Sequence, residues 1–265
     1  MGPDVSIQDL LAILSGGLVG FSLGLIGGGG SVLAVPLILY VVGVRDPHVA
    51  IGTSALAVAL NAFANLGQHA WAGNVKWNCA AVFAAAGVVG AFIGSSLGKQ
   101  VEGQHLLALF ALVMVAVGVS MLRGSAREGD TNVRLSRRNA PRLAAIGFSA
   151  GLLSGFFGIG GGFLIVPGLI LATGMPMLNA VATSLFSVGA FGVTTAINYA
   201  ASGLVDWRIA ILFICGGVAG GFFGMRMAIR LAARRGGLVK VFAFALFAVA
   251  AYMLWRSAGF LLRPT

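Results

Sequence analysis

The sequence predicts an all-α polytopic membrane protein made of two inverted repeats. Each repeat has five apolar helical elements, including a helix pair broken at a glycine-rich run. Three observations predict this. Of 265 residues, 58% are hydrophobic and only 9% charged, with a mean hydropathy of +0.98, whereas soluble domains carry about a quarter charged residues. Nearly every window of about 20 residues outside a few loops could sit in hydrocarbon, and no stretch shows the strict alternation of a membrane β-barrel. The chain also repeats itself. Leu25-Ile26-Gly27-Gly28-Gly29-Gly30-Ser31 leads to Pro36 as Phe156-Phe157-Gly158-Ile159-Gly160-Gly161-Gly162 leads to Pro167, 131 residues on. Gly16, Gly20 and Gly24 recur at the same offset as Gly147, Gly151 and Gly155. After a one-residue slip the offset is 130: Thr53-Ser54 with Thr183-Ser184, Trp77 with Trp207, Gly90 with Gly220, Gly94 with Gly224. Two homologous halves of this size in so apolar a chain are the usual architecture of alternating-access transporters.

The first element runs near 9–26, with Gly16, Gly20 and Gly24 on one face that lets another helix approach closely in lipid. It does not read as a cleaved signal peptide, because Asp4 and Asp9 stand where a basic region belongs and the apolar run from Leu10 continues into the repeat. The second element, near 31–44, is short for a crossing, which needs about 20 residues. The first two elements are therefore either two crossings or a hairpin that turns at the glycines. The third runs near 49–70. The fourth, near 77–98, opens on Trp77 and carries Gly90, Gly94 and Gly98 on one face. The fifth lies near 104–122. The second set follows near 142–157, 162–173, 177–200, 207–230 and 236–256. The chain thus divides into a first membrane repeat (1–122), a basic linker (123–141) and a second repeat (142–265), forming one integral membrane domain. In either reading each half makes an odd number of crossings. The second half is then upside down relative to the first, related to it by a pseudo-two-fold axis in the membrane plane.

A net charge of +10 in a soluble protein would suggest nucleic acid. Here the basic residues sit in loops and set topology, so no nucleic-acid partner is expected. Arg123, Arg127, Arg134, Arg137, Arg138 and Arg142 occupy the linker, Arg226, Arg230, Arg234, Arg235 and Lys240 the loop after the ninth element, and Lys76 the same side. Arg45, Lys99, Arg208, Arg256 and Arg263 fall on the other. The richer side reads as cytoplasmic, which puts both termini on the outer side of the inner membrane. Cys79 and Cys215 break the repeat register, suggest no metal or disulfide framework, and read as small buried apolar residues. His48 and His105 read as loop residues.

The chemistry concentrates at the glycine runs. Glycine costs about 1 kcal/mol per residue in a helix, so Gly27–Gly30 and Gly158–Gly162 predict broken helices. Unwound backbone at membrane depth persists only inside protein or beside a wet cavity. A new helix start after each break carries free N–H groups and partial positive charge that suit an anion. The plainer alternative is a tight turn for close packing. On the third element of the first half, Ser54, Asn61, Asn65 and Gln68 share a face, matched by Ser184, Ser187, Thr195 and Asn198 in the second. These faces read either as pathway lining or as interhelical hydrogen bonding. The candidate substrate-binding residues are Gly28, Gly29, Gly30, Ser31, Thr53, Ser54, Asn61 and Asn65, with Gly160, Gly161, Gly162, Thr183, Ser184 and Thr195. Asp206 reads as a solvated or capping residue at a helix entrance, and His69 as a packed or interfacial histidine rather than a proton carrier. No metal cluster, nucleophile–base pair or nucleotide loop is present, so neither catalysis nor a cofactor is expected.

At these residues the chain resembles the sulfite exporter TauE/SafE family, also called the 4-toluene sulfonate uptake permease family. The doubled set carries the resemblance: both glycine runs through Pro36 and Pro167, both Thr-Ser pairs, and the register from Trp77 and Trp207. It spans about residues 10–256. The resemblance implies a secondary transporter of sulfite, organosulfonates such as sulfoacetate, or related small anions, commonly outward. The second run departs in carrying Ile159. The expectation is an exporter that binds its anion at the midplane between the two breaks, embedded in membrane lipid, with proton coupling and homo-oligomer formation left open. An anion channel on the same scaffold and a non-transporting assembly factor are the alternatives.

Overall fold

The computed structural model describes residues 6–123, 135–136, 139–157 and 162–232, together with 240, 244, 247, 248 and 251. Linker positions 124–134, glycine-run positions 158–161 and most of the tenth predicted element lie outside the described residues. No strand occurs among the described residues. Among the described residues, six helical stretches are long and apolar enough to cross a bilayer: Ile7–Val42, Pro47–Trp71, Trp77–Gly98, Ala140–Phe157, Met177–Ala200 and Trp207–Leu231. The protein is a multi-pass membrane protein.

Local chemistry starts the helices where the sequence turns polar. Before α1 (Ile7–Ile26), Ser6 and Asp9 form a reciprocal capping box: Asp9 N donates to Ser6 Oγ at 3.2 Å and Ser6 N to Asp9 Oδ2 at 3.0 Å. Asp46 caps α3 (Pro47–Trp71) by accepting from His48 N at 2.8 Å, with Pro47 pre-set for the first turn. Asp206 accepts from Ile209 N at 3.1 Å and caps α9 (Trp207–Ala232), as expected. His48 and His105 are not loop residues. These caps bring His48 into the first turn of α3, and His105 opens α5 (Gly103–Arg123), 3.1 Å from Glu102.

Consecutive α, 3₁₀ and π turns cover Ile7 to Val42, 36 residues, on the two sides of Gly27. Drawn straight at 1.5 Å per residue, this stretch would reach about 54 Å, far beyond the ~30 Å hydrocarbon core. The chain instead reverses at Gly27, whose φ of +63° only glycine adopts without strain. The return arm has a 3₁₀ segment (Gly27–Leu33), α2 (Ala34–Leu37) and one wide π turn (Ile38–Val42). Gly30 lies against the backbone of Ser22 and Leu23. Val42 packs with Ala12 and Ile209. The chain thus comes back to the side from which it started.

The remaining helices are α4 (Trp77–Gly98), α6 (Ala140–Phe157), α7 (Gly162–Thr173) and α8 (Met177–Ala200). Each half packs mainly on the other: α1 on α9, α4 on α6, α3 on α8, and the return arm on α7. The contacts exchange at the repeat offset. A Cβ on Gly16, Gly20 or Gly24 would run into the backbone of Phe213, Gly217 or Gly221; one on Gly147, Gly151 or Gly155 would run into Phe83, Gly87 or Ala91. These contacts rise in number together, so α1 runs parallel to α9 and α4 parallel to α6. In contrast, α3 and α8 cross antiparallel, Gly192 on Ala55 and Ala59, Gly189 on Phe63.

One end of the bundle collects the starts of α1, α3 and α9 and the end of α8. Arg208 Nη2 lies 2.7 Å from Asp9 Oδ2, and Lys99 Nζ donates to Asn198 Oδ1 at 2.7 Å. The opposite end collects the ends of α1 and α3 and the starts of α4 and α8, where Asn179 Nδ2 donates to Asn74 O at 2.8 Å. Trp207 projects outward at the first end, and Trp71 and Trp77 at the second, the places where interfacial tryptophans sit. Between them, outward-facing Leu14, Leu18, Val89, Phe92, Ile211 and Val218 make an apolar belt. Cys79 is buried as expected, but Cys215 is exposed. The inner face of α9 is taken by Gly216, Gly217 and Gly220 on α1, which turns Cys215 outward.

Candidate functional site

The first glycine break is held by the other half of the molecule. Gly28 N donates to Ser184 Oγ at 3.1 Å, and that hydroxyl donates to Val181 O at 2.7 Å. Ser31 Oγ donates back to Gly28 O at 2.7 Å. Gly28, Gly29, Gly30 and Ser31 are all buried. A Cβ on Gly27 would sit 2.7 Å from Val181 O, so α8 closes directly over the turn. The run expected to unwind is instead wound into a tight 3₁₀ segment. Gly160 and Gly161 lie outside the described residues, and Gly162 opens α7.

The Thr-Ser pairs do different work within each pair. Thr53 Oγ1 accepts from Asp206 N at 2.9 Å and Thr183 Oγ1 from Lys76 N at 3.0 Å, so each threonine clasps the loop entering the other half's fourth helix. Ser54 Oγ donates to Ile51 O at 2.9 Å, repeating the bond of Ser184 to Val181. From the α3/α8 crossing and 1.5 Å per residue, the two pairs lie about 20 Å apart along the helix axes. One small anion cannot touch both. Each pair belongs to the end of the bundle where its own helix begins.

Between the pairs lies a buried polar stripe on α3. Asn61, Asn65 and His69 are spaced one helical turn apart, each 0% exposed. The amide of Asn61 stacks on the bare backbone of Gly217, and that of Asn65 on Gly221 and Gly24. Asn65 Nδ2 donates to Asn61 O at 2.8 Å, and His69 Nε2 lies 3.2 Å from Gly24 O. Both side-chain polar atoms of Asn61, Asn65 Oδ1 and His69 Nδ1 have no hydrogen-bond partner among the described residues. Leaving such groups unpaired costs roughly 1–3 kcal/mol each. The stripe passes through His69 rather than Gln68, which is half-buried. The i, i+4, i+8 spacing could have revealed this; the glycine floor beneath it could not be read without the fold.

The corresponding positions in α8 are Phe191, Thr195 and Tyr199. Phe191 stacks on Phe83 of α4 and fills the space left by Gly87. Thr195 is buried with its hydroxyl unpartnered among the described residues, one turn along the same face. Thr195 and Asn65 therefore face opposite helix seams rather than one shared pathway. Asn198 Nδ2 donates to Ser95 Oγ at 2.6 Å, and Asn198 Oδ1 accepts from Lys99, a local polar knot at the end of α8. Among the described residues no group of three His, Cys, Asp or Glu side chains could hold a metal.

A family model described as "Sulfite exporter TauE/SafE" matches residues 12–253. A "Probable membrane transporter protein" of Xylella fastidiosa (strain 9a5c) is 53% identical over 255 residues, covering 96% of this chain and 98% of that one. The "Probable membrane transporter protein YunE" of Bacillus subtilis (strain 168) is 29% identical, over 78% of this chain and 84% of its own length. The "Probable membrane transporter protein MJ0441" of Methanocaldococcus jannaschii is also 29% identical, over 71% of each chain. No solved structure matches the chain.

Proposed function

The chain belongs to the sulfite exporter TauE/SafE family and is a membrane transporter; from that premise we propose that it is a secondary carrier. It exports a small sulfur-containing oxyanion, sulfite or an organosulfonate such as sulfoacetate, across the inner membrane by alternating access. The observation that carries the reading is the exchange of contacts at the repeat offset, from the glycine seams to the Thr53–Asp206 and Thr183–Lys76 clasps. Such an exchange is what two halves related by a two-fold axis in the membrane plane would make. Rocking one half against the other then opens the two ends of the bundle in turn.

The two Thr-Ser pairs serve the two access states separately. Gly28 to Ser31 with Thr183-Ser184 faces one end, and Thr53-Ser54, in the first turns of α3, the other. Asn61 lies midway, about 10 Å from each pair along the axis. Every group in this set is neutral. A bare anion in hydrocarbon is prohibitive, and helix-start amides and neutral donors offset that penalty without a fixed countercharge that would retain the cargo. With the cation-rich end cytoplasmic and the termini outside, the inside-negative potential drives anions out at about 2.3 kcal/mol per charge per 100 mV.

The test is efflux of sulfite, sulfoacetate and a small carboxylate from liposomes holding the purified protein. Saturable efflux of the sulfur oxyanions, with exchange against external anion, is the expected result. Large unitary currents would establish a channel instead. Absence of anion flux with a stoichiometric co-purifying protein would point to an assembly factor.

A further inference from the structure

The stripe on α3 has one property its counterpart in α8 lacks: it ends in a base. His69 Nε2 lies 3.2 Å from Gly24 O. A carbonyl can only accept, so Nε2 carries the ring proton, and Nδ1 of the neutral ring presents a bare lone pair. That nitrogen is buried and without a partner among the described residues, as are the amide of Asn61 and Asn65 Oδ1. Opposite the stripe, Gly24, Gly217 and Gly221 leave main chain without side chains. Tyr199 stands where a second histidine would complete the symmetry, so among the described residues of the two seams only that of α3 carries an imidazole, a group able to bind and release a proton.

Among the described residues, the charged groups of α1, of α9 and of the start of α5 lie away from His69. Asp9 and Arg208 are paired with each other at the far end of α1 and α9. Glu102 is paired with His105 at the far end of α5. On α9, Arg226 lies outward, its guanidinium 3.8 Å from the Phe222 ring centroid, and Arg230 is exposed. Lys76 precedes α4 with its backbone bound to Thr183. The tyrosine of α8, Tyr199, lies at the opposite end against His48, and Tyr40 lies on the return arm.

We infer that, besides the two stations at the Thr-Ser pairs, Asn61, Asn65 and His69 form a proton-dependent anion site in the seam between α3 and the α1–α9 pair, so that anion movement is coupled to a proton. This rests on the transporter reading above. His69 Nδ1 takes a proton from water at the Trp71 end, which gives an imidazolium whose Nδ1–H donates to an oxygen of the anion. The Asn61 amide and the second hydrogen of Asn65 Nδ2 supply further donors. On release the proton returns from Nδ1 to water on the other side. One proton and one anion travel together, so a monoanion moves without net charge and a dianion carries one negative charge.

The deciding experiment uses the purified full chain in liposomes with the membrane potential clamped at zero, and sulfoacetate as the probe because its charge is constant between about pH 6 and pH 8. Wild type should accumulate the probe about tenfold per unit of imposed pH difference, with an equal proton movement reported by an entrapped pH dye. His69→Gln and His69→Asn should retain only slow flux that ignores the pH difference and moves no protons. Wild-type anion flux without proton movement would overturn the inference and leave the transporter reading intact, as would proton-coupled flux in either variant. No flux of any anion in wild type would overturn both.

Discussion

The closest test of the packing is a matched set of glycine-to-alanine changes in the two seams. A Cβ on Gly20 of α1 would overlap the Gly217 carbonyl of α9, and one on Gly151 of α6 would overlap that of Gly87 in α4. In both cases the obstacle is backbone, which cannot turn aside as a flexible side chain would. The helices must separate, and over-packing of this kind costs typically 1–3 kcal/mol. Gly67, within α3, supplies the control, because a Cβ there meets nothing within 4 Å. Replacing it should bring only the helix-propensity gain of alanine, at most about 1 kcal/mol. Thermal unfolding of the purified protein in detergent reads all three. Gly20→Ala and Gly151→Ala share that gain, so about 3 kcal/mol of over-packing less about 1 kcal/mol leaves roughly 2 kcal/mol, and each should lower Tm by roughly 4–8 °C at 2–4 °C per kcal/mol for a chain of this size. The two drops should match, since each seam is the other's counterpart, while Gly67→Ala should hold or raise Tm. An unchanged Tm in Gly20→Ala, or a large drop in one seam and none in the other, would refute the reasoning.

Other expectations follow from single bonds. Ser184→Ala removes the acceptor of Gly28 N and leaves a buried N–H unpaired. It should destabilise by about 1–3 kcal/mol, read as a lower Tm, and slow anion efflux. Thr53→Val and Thr183→Val keep side-chain shape but take the acceptor from Asp206 N and Lys76 N. Each should cost about 1 kcal/mol, and the double variant should show the sum. Gly27→Ala puts a side chain at φ +63° and 2.7 Å from Val181 O. It should abolish efflux in liposomes while the protein still inserts in membranes. Arg208→Leu removes a guanidinium that is 68% exposed from its bond to Asp9; it should change thermal stability by less than about 1 kcal/mol.

Much of the fold is legible because lipid leaves few options for an apolar chain. The fourth, seventh and eighth elements were readable to the residue, Trp77–Gly98, Gly162–Thr173 and Met177–Ala200, since Trp, Gly and Pro punctuate them. The glycine stripes announce close helix packing by their spacing alone. Partner choice is another matter. That Thr53 would accept from Asp206, 153 positions away, and Thr183 from Lys76, 107 away, depends on which helix ends meet. A hydroxyl's periodicity carries no trace of that. The return arm was legible as short but not as 3₁₀ and π turns, because glycine and proline permit several pitches and packing against α1 and α7 selects among them. The stripe was half legible. Asn61 and Asn65 stood out as polar groups deep in an apolar run, while His69 lay close enough to the helix end to pass for an interfacial residue. Its burial depends on Gly24, which arrives from α1.

The account stands on two oppositely oriented halves, and sidedness of labelling tests that most directly. Ala72 and Ser202 occupy matching exposed loop positions 130 residues apart. Ala72→Cys and Ser202→Cys, each made with Cys79 and Cys215 replaced by alanine, are treated in intact cells with a membrane-impermeant maleimide. Ser202→Cys should label from outside, and Ala72→Cys only after the membrane is permeabilised. Labelling of both from the same side would mean that the halves point the same way, and the carrier built on their exchange would be contradicted.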